Sequence, residues 1–165
     1  MNRNRSLAVA VIVLAAAACK QVATGGTPAA TAAVDGYMAA WNAHEAVQAA
    51  SFLADSAVYL DASVGTPQVG RDSAQKNVIQ AFLTAVPDCR WTRDGDAVVN
   101  SAGDAIAFQW TFSGTNTGPW ADGSKATGKT FSIKGLTLIR LTGGKISSQF
   151  DSYDALGFYK QLGMM

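Results

Sequence analysis

The chain has 165 residues, 48% of them hydrophobic, with 13 Lys and Arg against 12 Asp and Glu, enough apolar material for one full core. A formal charge of +1 with no cluster of Lys or Arg excludes a nucleic-acid partner, because phosphate binding needs a basic patch. One His and two Cys, with no carboxylate cluster at ligand spacing, leave no metal site to expect, and no P-loop, dinucleotide fingerprint or nucleophile elbow points to a cofactor.

The first 18 residues read as a signal peptide: Arg3 and Arg5 form a basic start, Leu7 to Ala18 is an unbroken apolar run, and Cys19 follows three alanines. Ala16-Ala17-Ala18-Cys19 resembles the lipobox of bacterial lipoproteins, with Ala16 where leucine is usual. The resemblance implies a lipid on Cys19, and Lys20 after it implies the outer membrane, facing the periplasm, in a Gram-negative host. The Ala-x-Ala that also ends at Ala18 leaves ordinary cleavage, and so a soluble periplasmic or secreted product, as the alternative. Residues 19–32, with Gly25, Gly26 and Pro28, have the composition of a flexible tether, and residues 33–165 form the domain. With Cys19 lipidated, Cys89 has no partner and is expected as a buried free thiol.

From Thr31 the pattern turns helical, with Val34, Met38 and Trp41 on one face and Tyr37 beside them. A second helix is predicted over Glu45 to Leu53, a short strand over Ala57 to Leu60, and a third helix from Ser73 to Val86, stopped by Pro87. The period then becomes that of strands: Arg90 to Asn100, bulged or bent near Asp94-Gly95-Asp96, and Ala105 to Ser113, with Phe108, Trp110 and Phe112 opposite Gln109, Thr111 and Ser113. After a loop rich in Gly and Asp come Thr130 to Leu141, a turn at Thr142-Gly143-Gly144, Lys145 to Tyr153, and a terminal helix. Helices followed by a meander of long strands make an α+β fold: a strongly curved antiparallel sheet wrapped around N-terminal helices as a cone-shaped barrel with one open mouth.

Several blocks carry a family likeness: Trp41-Asn42-Ala43-His44, Phe52 to Val58, Gly70-Arg71-Asp72, Pro87-Asp88, Gly114 to Gly118, Thr127-Gly128-Lys129, Gly144-Lys145-Ile146, and Asp154 with Gln161-Leu162-Gly163. In order and spacing they resemble the SnoaL-like, polyketide-cyclase type branch of the nuclear transport factor 2-like superfamily, over about residues 33 to 163. The resemblance implies a cone with an interior pocket for a small apolar molecule, and a homodimer packed through the outer sheet face. It also implies that an aspartate on the last strand serves as acid or base, and Asp151 matches that position. The sequence departs from the pattern in two places: Phe150 stands where tryptophan commonly precedes that aspartate, and no strand carries a histidine.

Alternation points Gln149, Asp151 and Tyr153 one way and Phe150 and Ser152 the other. Asp151 and Tyr153 are therefore the candidate catalytic residues, for acid/base isomerisation, cyclisation or hydration, since an apolar cavity raises a carboxyl's pKa towards the range useful for proton transfer. Trp41, Tyr59, Gln109, Trp110 and His44 are the candidate ligand contacts, with Tyr37 and Tyr59 among the possible donors to an oxyanion. Asp151 can equally be a carboxylate bound structurally at a strand end, and Asp154 suits the N-cap of the terminal helix. The alternative function is a noncatalytic dimerisation or envelope-interaction module whose cone is filled by its own side chains.

Overall fold

In the computed structural model the described residues are 29–165, so the signal peptide, Cys19 and most of the tether lie outside them. Helix α1 (Ala29–Asn42) begins within the segment read as tether, its alanine-rich start favouring helix. It buries Val34, Tyr37, Met38 and Trp41, the face that the spacing predicts. Helix α2 (Ala46–Ala50) is shorter than expected, because Leu53 already opens strand β1 (Leu53–Asp61), which is longer. After the two-residue β2 (Gln68–Val69), the third helix runs as α3 (Arg71–Ala74), a π-helical turn (Gln75–Ile79) and α4 (Gln80–Ala85). Arg71 secures its start, donating from Nε to the Leu53 carbonyl at 3.1 Å and pairing with Asp55.

Strands β3 (Arg90–Val99), β4 (Ala105–Thr115), β5 (Thr130–Thr142) and β6 (Lys145–Tyr153) follow, then helix α5 (Ala155–Leu162). They form one curved six-stranded sheet in the order β2-β1-β6-β5-β4-β3. The β3–β4 register breaks between Asp94 and Val98, where Gly95 has φ +73°, so the expected bulge is present. Gly143 and Gly144, both at positive φ, make the two-residue turn that joins β5 to β6; such turns match the right-handed twist of the strands.

One pairing departs from a simple meander. β1 lies parallel to β6, setting Tyr59 beside Gln149 and Asp61 beside Asp151. The crossover is long enough for a parallel neighbour because it contains the third helix and the four strands β2 to β5. The concave face holds the core, in which Trp41, Trp91, Phe112 and Phe82 meet mainly edge to face, the arrangement that ring quadrupoles favour. Cys89 is buried and free among the described residues, and burial pushes its thiol up to about 11. No helix among the described residues is long and apolar enough to cross a membrane.

Candidate active site

The parallel pairing of β1 and β6 places two carboxyl groups side by side inside the cone. Asp61 is 5% exposed and Asp151 4%. Both sit in a small chamber walled by Trp41, Tyr59, Trp91, Trp110, Phe112 and Tyr153. A carboxylate so placed keeps its charge only if hydrogen bonds replace water.

Asp151 is fully engaged. The Tyr59 hydroxyl donates to Oδ2 at 2.7 Å, the Thr137 hydroxyl donates to Oδ1 at 2.5 Å, and the Gln149 amide reaches both oxygens at 3.2 and 3.0 Å. Thr137 is itself oriented, since its Oγ1 accepts from the Trp110 indole at 2.7 Å. Burial pushes the Asp151 carboxyl up to about 7, and the neighbouring Asp61 charge adds to this; the donors Thr137, Tyr59 and Gln149 pull the other way. Proton affinity near neutrality is what a general acid/base requires.

Asp61 is held differently. Its Oδ1 accepts from Ser63 N at 2.8 Å, Ser63 Oγ at 2.7 Å, Val64 N at 3.1 Å and the Tyr153 hydroxyl at 2.9 Å. Among the described residues no protein donor reaches Oδ2. Tyr153 therefore braces Asp61 rather than Asp151, and burial drives its hydroxyl well above its ordinary range, so it stays a neutral donor. The Tyr59 hydroxyl is raised for the same first reason, with the Asp151 charge next.

Of the residues that the sequence singles out, Asp151, Tyr153, Trp41, Tyr59 and Trp110 do line one chamber. Gln109 does not: it lies exposed on the outer sheet face, one residue out of phase with Trp110, and the expectation of a ligand contact there is corrected. His44 is also outside. It sits in the turn after α1 with φ +61°, and its Nε2 donates to the Cys89 carbonyl at 3.0 Å, so it joins α1 to the start of β3. Asp154 is the N-cap of α5, its Oδ1 accepting from Gly157 N at 2.8 Å.

Asp61 and Thr137 complete the site without having been expected in it, while Gln149, which alternation places on the Asp151 side, joins them as a donor. Asp61 continues the alternation Ala57, Tyr59, Asp61, a signal that a strand read as ending at Leu60 hides. Some polar groups stay unsatisfied. The Trp41 indole N–H, Gln149 Oε1 and the Tyr37 hydroxyl, the last close enough to Trp41, Tyr59 and Asp151 to feel all three, are buried without a hydrogen-bond partner of good geometry. No group of three or more His, Cys, Asp or Glu among the described residues is arranged to hold a metal ion.

The chamber is tight, with about 30 Å³ of water-accessible space. Since one water needs roughly 10–15 Å³ by this measure, it holds about two.

The family model of the SnoaL-like polyketide cyclases matches residues 31–162. No curated protein matches the sequence. Among solved structures, TsrD from Streptomyces laurentii is 24% identical with a TM-score of 0.69, the match covering 83% of this chain and 96% of that one. A candidate polyketide cyclase from Xanthomonas campestris is 21% identical with a TM-score of 0.70, covering 81% of this chain and 96% of that one. A protein of ketosteroid isomerase-like fold from Catenulispora acidiphila, in complex with trimethylamine, is 20% identical with a TM-score of 0.66, covering 79% and 92%. Likeness at these identities establishes a shared fold.

Proposed function

The chain belongs to the SnoaL-like polyketide cyclase family, and on that premise we propose that it binds a small, largely apolar carbonyl compound and moves a proton on it through Asp151. The observation that carries this reading is the buried carboxyl pair: a carboxyl poised near 7 beside a second one whose Oδ2 faces no protein donor among the described residues. Asp151 takes a proton from the carbon next to the carbonyl and returns it elsewhere, which describes isomerisation or one step of a cyclisation. The electron pair left behind moves onto the carbonyl oxygen, and the unpartnered Trp41 N–H is the wall donor available to that oxyanion. Asp61 acts through its neighbour: its charge keeps the proton affinity of Asp151 high.

Mass spectrometry of small molecules released from the purified native protein identifies the ligand. With that compound as substrate, Asp151→Asn is expected to lose about 10²–10⁴ in turnover while the circular dichroism stays unchanged. Undiminished turnover in that variant refutes the role. One observation favours a noncatalytic interaction module instead, namely the small free volume of the chamber. Absence of any released ligand, together with no thermal shift across a panel of apolar ketones, would decide for the module.

Two further parts of the reading rest on the sequence and on the sheet surface. Leu138 and Phe150 pair across β5 and β6 on the outer face, and Phe150 is 45% exposed. With the half-exposed Leu136 they form the patch on which a second copy packs; Phe150→Glu is expected to lower the mass measured by light scattering from dimer to monomer. Export with a lipid on Cys19 is tested by labelling cells with a radioactive fatty acid, and a Cys19→Ser variant that labels as well as wild type removes it.

A further inference from the structure

Resting on the reading of the chamber as a ligand site, we propose that Phe82 is the partition that decides which ligands reach it, closing the chamber off from a second compartment at the surface. The second cavity is about 120 Å³ and is lined by Ser63, Asn77, Trp120, Asp122, Phe158 and Tyr159, among others. Phe82 is the single residue that lines both spaces. Its ring stands edge to face with Phe112 of the chamber wall at 5.8 Å and with Trp120 of the outer compartment at 5.6 Å, and stacks on Phe158 at 6.3 Å.

The Trp120 wall of this ring is anchored by hydrogen bonds, so between that loop and the ring it is the ring that turns at less cost. The loop that carries Trp120 is held by Asn116, which is fully buried. Its amide donates to the Ala85 carbonyl at 2.9 Å and the Gly118 carbonyl at 2.8 Å, and its oxygen accepts from Thr127 N at 2.9 Å. Gly118 N adds a bond to the Ala85 carbonyl at 3.0 Å. Swinging the loop would break these bonds, whereas turning Phe82 about its side-chain torsions exchanges one set of aromatic contacts for another. Phe82 lies one turn beyond the π-helical segment, an irregularity that is frequent where a helix serves a site.

With Phe82 turned aside, the two spaces become one continuous cleft with the carboxyl pair at its closed end and Ser63, Asn77 and Tyr159 at its outer end. Such a cleft suits a ligand longer than the chamber alone admits, with its enolisable end inward and a polar group outward among Ser63, Asn77 and Tyr159. With Phe82 in place the chamber offers about 30 Å³ of water-accessible space, so a ligand larger than a water or two needs the ring turned aside.

The chain's four tryptophans make access measurable without a known substrate, because Trp41, Trp91 and Trp110 wall the chamber and Trp120 lies outside it. In a Trp120→Phe background, quenching of tryptophan fluorescence by acrylamide is expected to rise at least threefold on adding Phe82→Ala, while near-ultraviolet circular dichroism is retained. Unchanged quenching overturns the proposal. So does an equal rise in Ile139→Ala, a core truncation away from the partition, since the effect would then be general loosening. If Phe82→Ala does not fold, Phe82→Leu carries the test, with an intermediate rise expected and none refuting. Quenching makes no use of Asp151 chemistry, so a failure of the partition and a failure of the catalytic reading are told apart: Asp151→Asn leaves quenching unchanged.

Discussion

On its inner side the sheet of β4, β5 and β6 carries Trp110, Thr137, Gln149 and Asp151; on its outer side, one residue along each strand, it carries Gln109, Leu138, Phe150 and Ser152. The inner polar groups are cut off from water and bond to one another in a chain from the Trp110 indole through Thr137 to Asp151. The outer ones face solvent, where Lys134 pairs loosely with Asp94 at 3.4 Å. The same residue types on the same strands therefore carry different weight. A charge inside shifts its proton affinity and its neighbours must answer it, while a charge outside is screened.

The largest expected difference between the faces is in pH dependence. The Asp151 carboxyl is raised from 3.8 to about 7 in the native state, so between these values the folded chain holds a proton that the unfolded chain has lost. Stability conferred by that proton is present at low pH and falls as pH rises from about 4 to 7, by on the order of 4 kcal/mol, then levels off. Urea unfolding from pH 4 to 8 is expected to show this slope in wild type and not in Asp151→Asn; an identical slope in both would assign it to another group. Asp61→Asn is expected to lower the titration midpoint of Asp151, read by carboxyl-carbon NMR, because it removes the neighbouring charge. A midpoint that stays put would mean that desolvation alone sets it.

Packing separates the faces next. A methyl group on Gly135 would run into the Trp110 ring, so Gly135→Ala is expected to cost about 1–3 kcal/mol and to shift tryptophan fluorescence as the Thr137 bond is disturbed. Removing the cap at the junction of sheet and helix, Asp154→Ala, is expected to cost about 1 kcal/mol in thermal unfolding. Lys134→Ala, on the outer face and 82% exposed, is expected to change stability by less than about 0.5 kcal/mol. A Lys134 effect larger than that of Gly135 would reverse the comparison.

How much of the site was legible depended on which physical rule each residue obeyed. Asp151, Tyr153 and Trp110 follow strand alternation, and their inward direction could be read without a structure. Gln109 was assigned to the pocket against that same alternation, and it faces out. His44 carries no period, being in a turn, so its bond to the Cys89 carbonyl was visible only once β3 had been placed beside α1. Asp61 failed for want of one residue at a strand end, the boundary that local pattern places least well. Phe82 lies on the buried face of its helix, but a helical period says nothing about what stands on either side of a ring.

The sequence by itself determined the α+β order of elements, the family, the inward face of β6 and the capping role of Asp154, because each depends on local spacing or on short motifs with a mechanical role. Only the tertiary structure decided that β1 lies parallel to β6, that Asp61 therefore stands beside Asp151, and that Phe82 divides two cavities. These are contacts between residues dozens of positions apart. Their partners are chosen by how the whole chain buries its apolar surface, and no local period records that choice.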